Sequence, residues 1–461
     1  MPRSLDEAGG DVDRGAAMIP ILTVEAMRDA DARAVADRGV DALVGAAGNA
    51  VALTAKSMLG RCYGARVALL AGPGLNGQDG RVAGRWLASR GARVHVHDVA
   101  SQPMSLDGYD LVVDAAFGLG CSRPYHAPQV APGTLVLAVD LPSGVNSDTG
   151  EILGTPLAAD VTLALGAVKP AHLTGPAAAL VGELRFAGLG IVERFEDGLM
   201  QDGDLESLIN VRRDDHKWVH AVEAFVGSPL MPGAAELVAR GALAGGASMI
   251  RLASRGDISS FVRLPPEVVH GIELSVDRRC RAVVAGPGLG FDAASWLRER
   301  LANVAVPVVL DADGLDRSLL PGRSTAEGRW ILTPHDGEFA RLTGRPVPAN
   351  RFDAVRALAK ETGCVILLKG PVTVLASPSG TLRVVNSGTP ALATAGSGDV
   401  LAGLIAATIA RGHDALSAGA MAAHLHGRAG ARMNVYSPAS DLANEVRAVI
   451  AGLVREPSNR R

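Results

Sequence analysis

The chain is short of lysine, of paired cysteines and of long apolar runs, and each shortage removes a class of protein. Lysine occurs five times among 45 basic residues, at Lys56, Lys169, Lys217, Lys360 and Lys369. Basic and acidic residues nearly cancel, leaving a net charge of −3, so the basic face or tail of a nucleic-acid binder is missing. The four cysteines (Cys62, Cys121, Cys280, Cys364) are far apart and form no Cys-x-x-Cys pair. Structural zinc and a disulfide framework are thereby excluded, and reduced thiols in a cytoplasmic protein are expected. No apolar run reaches 18 residues, so no membrane partner is expected. Residues 1–17 are acidic and Gly/Ala-rich, unlike a secretory signal, and read as a disordered tail.

What is present is ample apolar material, 48% of 461 residues, enough for two or three domains. Thr23 caps a helix that Gly39 stops. Short apolar runs then alternate with Ala/Arg-rich helical stretches. They include Val67–Leu70, Val94–Val96, Leu111–Val113 and Leu135–Val139, then Ala282–Val284, Val308–Leu310 and Val365–Leu368. Runs apolar on both faces and separated by helix-length segments predict parallel sheets covered on both sides. The pattern weakens between about 190 and 215, in a charged stretch ending Arg212-Arg213-Asp214-Asp215. The reading is α/β, with two tandem three-layer domains at 18–208 and 209–461. One long helical region is expected from Val400 to about Arg432.

Gly72-Pro73-Gly74-Leu75-Asn76-Gly77 follows a strand and precedes a helix expected to start near Arg81. It has the form G-x-G-x-x-G, whose glycines let a backbone approach a pyrophosphate. Asp114, Asp140 and Ser143 also close apolar strands, and the carboxyl ends of parallel strands converge on one crevice. Asn76, Asp114 and Ser143 can offer oxygens to a hard cation there, with Asp140 facing a substrate; each alone could equally be a helix cap. The pentapeptide Ala-Gly-Pro-Gly-Leu recurs at Ala285–Leu289 without extended similarity, which suits convergent turns for phosphate or nucleotide groups.

These motifs, with Asp114-Ala115-Ala116-Phe117-Gly118, Asp140-Leu141-Pro142-Ser143-Gly144 and Lys169-Pro170, resemble the NAD(P)H-hydrate epimerase domain over about residues 20–205. The resemblance implies a Rossmann-like parallel sheet and a hydrate site made of Asn76, Gly77, Gln78, Asp79, Gly118, Leu119, Gly120, Arg123, Pro124 and Asp140, the last catalytic. It implies potassium on Asn76, Asp114 and Ser143. Leu75 and Gln78 stand where the family has asparagine and glycine, and reduced epimerase turnover is expected.

The strongest signal is Thr394-Ala395-Gly396-Ser397-Gly398-Asp399 at the start of a helix. Small residues turn backbone N–H groups inward as an anion hole at the helix's positive end. Asp399 stands at its mouth, placed to take a proton from a hydroxyl attacking phosphorus. Lys369 follows a strand, well placed for phosphate. Asp311 and Asp313 either hold Mg²⁺ through water or cap a strand–helix turn. With Thr333-Pro334-His335-Asp336-Gly337-Glu338, these motifs resemble the ribokinase-like superfamily and, within it, ADP- or ATP-dependent NAD(P)H-hydrate dehydratases, over about residues 210–455. The resemblance implies nucleotide contacts at Lys369, Gly370, Pro371, Val372, Thr373 and Gly398. It implies hydrate contacts at Ala234, Gly288, His335 and Asp399, with Asp399 as base. The whole resembles bifunctional NAD(P)H-hydrate repair enzymes, acting on hydrated NADH and NADPH and expected to form a homo-oligomer. The alternative is a ribokinase-like vitamin or sugar kinase fused to a ligand-binding domain, which would release a stable phosphorylated product.

Overall fold

The computed structural model describes residues 18–192, 194–209, 216–271, 275–321 and 328–455. The expected disordered tail at 1–17 and the charged run Arg212–Asp215 lie outside them. The chain divides into two compact units, one reaching Gly198 and the other beginning at Leu199.

The first unit holds strands β1 (Arg66–Ala71), β2 (Arg93–Asp98), β3 (Leu111–Ala115), β4 (Leu135–Val139), β5 (Val161–Leu165) and β6 (Glu183–Ala187). They form one parallel sheet in the order β2-β1-β3-β4-β5-β6. The order reverses at β1, so a crevice opens between the carboxyl ends of β1 and β3. Alternate residues serve opposite faces. Val67, Leu69, Val113 and Leu137 pack with helices α2 (Val40–Leu59) and α3 (Leu75–Ser89), while Ala68, Leu70, Val112 and Val136 meet Leu106 and Tyr109. That second face is covered by the connections on either side of β3, where Ser105–Leu106 pairs with Gln129–Val130 in a short two-stranded ribbon.

Helix α1 (Val24–Arg38) starts at Thr23, whose hydroxyl accepts from the Ala26 N–H, and stops at Gly39 with φ of 79°. α2 is long and apolar enough to cross a membrane by composition alone. Its Ala47, Val51, Ala52 and Ala55 are instead buried in the sheet's core. α3 corrects an expectation, beginning at Leu75 rather than near Arg81. Gly74 is its N-cap, so Asn76 to Asp79 lie in its opening turns.

The second unit runs through β7 (Ala221–Phe225), α4 (Pro232–Ala244), β8 (Met249–Ala253), β9 (Val268–Gly271), β10 (Ala282–Ala285), α5 (Ala293–Leu301), β11 (Val308–Leu310) and β12 (Trp330–Leu332). It continues with α6 (Asp336–Thr343), α7 (Arg351–Thr362), β13 (Val365–Leu368), β14 (Thr373–Ala376) and β15 (Leu382–Val385). The order is β15-β14-β13-β12-β11-β10-β7-β8-β9. β7 to β13 are mutually parallel, and β14 and β15 add an antiparallel edge. Val222, Ala224, Val284, Val309 and Ile331 bury one face against the helices. Phe225, facing the other way, meets Trp296 of α5 edge-on at 6.0 Å.

The single helix expected from Val400 to Arg432 is two, α8 (Ser397–Ala410) and α9 (Ala415–Gly430). Gly412, at φ 101°, takes a backbone conformation that ends the first. The last helix is α10 (Ala439–Arg455).

The repeated pentapeptide has a shared steric cause. A Cβ on Gly72 would lie 1.8 Å from the Ala116 carbonyl oxygen, and one on Gly286 would lie 1.9 Å from that of Asp311. Each strand end presses against the loop leaving the adjacent strand, and only glycine fits.

Candidate active sites

In the first unit a cavity of about 580 Å³ lies over the carboxyl ends of β1 and β3. Asn76, Asp79, Gly118, Leu119, Gly120 and Asp140 line it, as does Leu75. Gly77, Gln78, Arg123 and Pro124 do not. Gly77 packs on the Gly72 backbone, where a Cβ would be 2.0 Å from the carbonyl oxygen, and Gln78 is exposed.

Asp140 carries the site's charge chemistry. Its backbone has a positive φ of 66°, and its Oδ1 accepts from Leu165 N at 3.2 Å. Lys169 Nζ donates to the same oxygen at 2.5 Å and to the Leu165 carbonyl at 2.7 Å. Lys169 is only 1% exposed. The His172 ring lies 2.6 Å from the Asp140 carbonyl through Nε2, and burial lowers its pKa to about 4. The ring is therefore neutral and donates through Nε2. Neither Lys169 nor His172 was singled out as a site residue by the motifs; the scarcity of lysine was the available signal. Burial, then Asp140 and Asp31, push the Asp79 carboxyl up to about 8, so it holds its proton at neutrality. The site thus pairs an ion-paired carboxylate with a neutral acid.

Asp114 is fully enclosed. Its Oδ1 accepts from Ser143 Oγ at 2.6 Å and its Oδ2 from Ser143 N at 2.9 Å. Burial raises its pKa, the serine bonds opposing. The carboxylate meets no basic side chain among the described residues, and the buried Asn76 Nδ2 has no partner. The Asp114 and Ser143 oxygens suit a hard cation, whereas the unpartnered atom of Asn76 is an amide nitrogen, which donates and does not ligate one.

In the second unit Asp399 occupies the first turn of α8, behind Gly396 with φ of 90°. Burial is the main cause raising its pKa to about 7; Asp311, Asp313 and Glu338 add to the rise and Lys369 opposes it. Lys369 Nζ donates to Asp311 Oδ1 at 2.8 Å and stands 3.5 Å from Glu338 Oε2. A Cβ on Gly398 would be 3.6 Å from that same Nζ, which puts the ammonium beside the N-terminus of α8. Lys369, Gly370, Pro371, Thr373 and Gly398 line a cavity of about 420 Å³, and Val372 does not.

His335 caps α6. Its Nδ1 accepts from Gly337 N at 3.0 Å while Glu338 Oε2 accepts from His335 N at 2.9 Å, a reciprocal capping box. Glu338 therefore links His335 to Lys369, a role the motif did not reveal. Asp311 is 2% exposed and also accepts from Thr333 Oγ1 at 2.7 Å; its oxygen is engaged with Lys369. Asp313 Oδ2 accepts from Gly290 N at 2.8 Å. Gly288 closes the other side, where a Cβ would be 2.5 Å from Ala234 Cβ.

A carboxyl raised to about 7, an ammonium and a glycine-lined helix N-terminus thus meet where α8 begins. Residues 223–450 match the family model described as NAD(P)H-hydrate dehydratase, and residues 40–107 and 97–171 match the one described as YjeF-related protein N-terminus. A bifunctional NAD(P)H-hydrate repair enzyme of Thermofilum pendens is 35% identical, covering 83% of this chain and 86% of that one. One of Mycobacterium leprae is 34% identical, covering 94% and 99%. The solved structure of an ADP/ATP-dependent NAD(P)H-hydrate dehydratase from Bacillus subtilis, co-crystallised with ATP and Mg²⁺, aligns with a TM-score of 0.50 at 29% identity, covering 55% of this chain and 96% of that one. The chain belongs to the family of bifunctional NAD(P)H-hydrate repair enzymes.

Proposed function

We propose that the second unit phosphorylates the hydroxyl of the S-hydrate of NADH or NADPH from ADP or ATP, and that phosphate then leaves to restore the reduced cofactor. Hydroxide is a poor leaving group and phosphate a good one, which is why the nucleotide is needed. The observation that carries the reading is Asp399, a half-buried carboxylate raised to about 7 beside Lys369 and Gly398. Asp399 takes the hydroxyl proton. Lys369 and the N–H groups opening α8 meet the transferring phosphoryl charge. Mg²⁺ would come with the nucleotide phosphates and offset their charge among Asp313 and Glu338. The kinase alternative is set aside by the family match.

The first unit interconverts R and S hydrates. Asp140, ion-paired with Lys169, faces the substrate, and Asp79 supplies a proton; two carboxyl groups in unlike environments suit acid and base roles. Asn76, Asp114 and Ser143 would hold potassium, which would offset the buried Asp114 charge. A cytoplasmic homo-oligomer is part of the proposal.

The test mixes purified protein, both hydrate epimers and ADP or ATP, and follows the absorbance of reduced nicotinamide. Loss of hydrate with accumulation of a phosphorylated product and no NAD(P)H would sink the dehydratase reading.

Asp399 sets the pH dependence. Its folded pKa is raised, so below about 7 the carboxyl is protonated and cannot act as base. kcat/KM is expected to fall about tenfold per pH unit on the acid side and to level off above neutrality. A profile that stays flat down to about pH 5.5 would remove Asp399 from that role.

Leu75 is half exposed in the epimerase cavity and offers no polar contact, whereas Gln78 points away. Leu75→Asn alone is expected to raise R-to-S exchange by about tenfold, the value of one hydrogen bond of ~1.4 kcal/mol, with S-hydrate repair unchanged. Separate chromatography of the epimers reads this. Wild-type exchange already fast against the spontaneous rate would show that Leu75 is harmless.

A further inference from the structure

A dinucleotide hydrate reacts at its nicotinamide ring, and its pyrophosphate and adenosine must be held elsewhere. Ala234 and Gly288 touch each other at the dehydratase centre, and the loops around them carry side chains that the reaction leaves unused. Gly227 N donates to the Pro287 carbonyl at 2.8 Å, and Arg255 N donates to the Gly227 carbonyl at 2.9 Å. The ends of β7, β8 and β10 are thereby tied together.

Arg255 reaches along the glycine loop, its Nη1 donating to the carbonyls of Leu289, at 3.4 Å, and Phe291. Its remaining N–H groups meet no acceptor among the described residues. Phe291 is 97% exposed and Leu230 is 90% exposed, one shortly after Gly288 and the other shortly before Ala234. α4 begins at Pro232, which has no N–H, and Met231 gives it no side-chain cap, so the remaining N–H groups of its first turn have no acceptor within the helix. Ser228 opens the turn into that helix, its carbonyl accepting from Met231 N at 3.0 Å. Ser228 is 6% exposed, and its hydroxyl has no partner among the described residues.

We propose that Arg255, Ser228 and the N-terminus of α4 bind the pyrophosphate of the hydrated dinucleotide, while Phe291 and Leu230 carry its adenosine. The proposal rests on the dehydratase reading and extends it to the half of the substrate that does not react. A guanidinium with free N–H groups matches phosphate oxygens in pairs, and the helix's positive end adds to it. A phenyl face suits a purine. This set is separate from the Lys369–Gly398 cavity read as the nucleotide site, so hydrate and nucleotide binding come apart in kinetics.

The experiment measures KM and kcat of the full chain for the S-hydrate of NADH, for ADP, and for the S-hydrate of reduced nicotinamide mononucleotide, which lacks the adenosine half. Arg255→Ala is expected to raise the KM for the NADH hydrate by about 10- to 100-fold, the range of a charged hydrogen bond, with the KM for ADP unchanged. Arg255→Lys should recover part of the loss. Phe291→Ala should raise KM for the dinucleotide hydrate about fivefold and leave the mononucleotide hydrate unaffected. An unchanged hydrate KM in Arg255→Ala overturns the proposal. So does an equal loss for hydrate and ADP, which would mean that Arg255 only braces the glycine loop. Phe291→Ala that alters sedimentation but not KM would make the patch an interface between copies, and would overturn the adenosine assignment. Wild-type protein that fails to recover NADH from the S-hydrate at all refutes the catalytic reading instead, a separate outcome.

Discussion

Asp399→Asn is expected to lower NAD(P)H recovery from the S-hydrate by about 10²–10⁴-fold, the usual contribution of a positioned general base. The replacement is isosteric and stays in the first turn of α8, so Gly398 and the outward N–H groups keep their places. It removes the only feature that the base role needs, a carboxylate able to take a proton near neutrality. Nucleotide binding should persist, because Lys369 is held by Asp311 and Glu338 and not by Asp399. Lys369→Ala gives the contrast: nucleotide affinity should fall by about tenfold or more, since the ammonium beside Gly398 is gone. Calorimetry with ADP and the absorbance assay separate the two variants. Near-normal turnover in Asp399→Asn would show that another group takes the proton.

Lys169→Met is expected to abolish epimerisation and to weaken the first unit. The lysine is 1% exposed, 2.5 Å from Asp140, and removing one partner of a buried pair costs about 3–5 kcal/mol because the other charge is left uncompensated. Amide exchange over residues 135–172 should accelerate by about 10²–10⁴-fold, the same energy expressed as an opening equilibrium. Asp140→Asn combined with Lys169→Met should restore much of the protection but none of the epimerase activity. If the single variant exchanged as slowly as wild type, the pair would not be structural.

Most of the sheet was legible in the sequence, because strands buried on both faces show as unbroken apolar runs, as in Leu135–Val139. Boundaries set by a single glycine were not. α3 begins six residues before Arg81, since Gly74 serves as its N-cap, and Gly412 cuts a continuous Ala-rich stretch into α8 and α9. Asp399, Lys369 and His335 stood out through motif and scarcity. The roles of Lys169, His172 and Glu338 were not legible, because they come from partners distant in sequence: Glu338 reaches Lys369 only after α6 and β13 have formed. Gln78, Arg123, Pro124 and Val372 carry the family's motif positions, yet none lines the cavities. Local spacing fixes a residue's element, and tertiary packing decides which way its side chain turns.

The paucity of lysine has a practical corollary for covalent chemistry. Lys56, Lys217 and Lys360 are exposed, whereas Lys169 is sealed under Asp140 and Lys369 is 21% exposed and further protonated by Asp311 and Glu338. Amine-directed acylation or cross-linking at mild pH will therefore mark three outward positions first and spare both centres. Lys369 becomes an internal reporter: its slow modification, read by peptide mass, should stop when ADP fills the adjoining cavity.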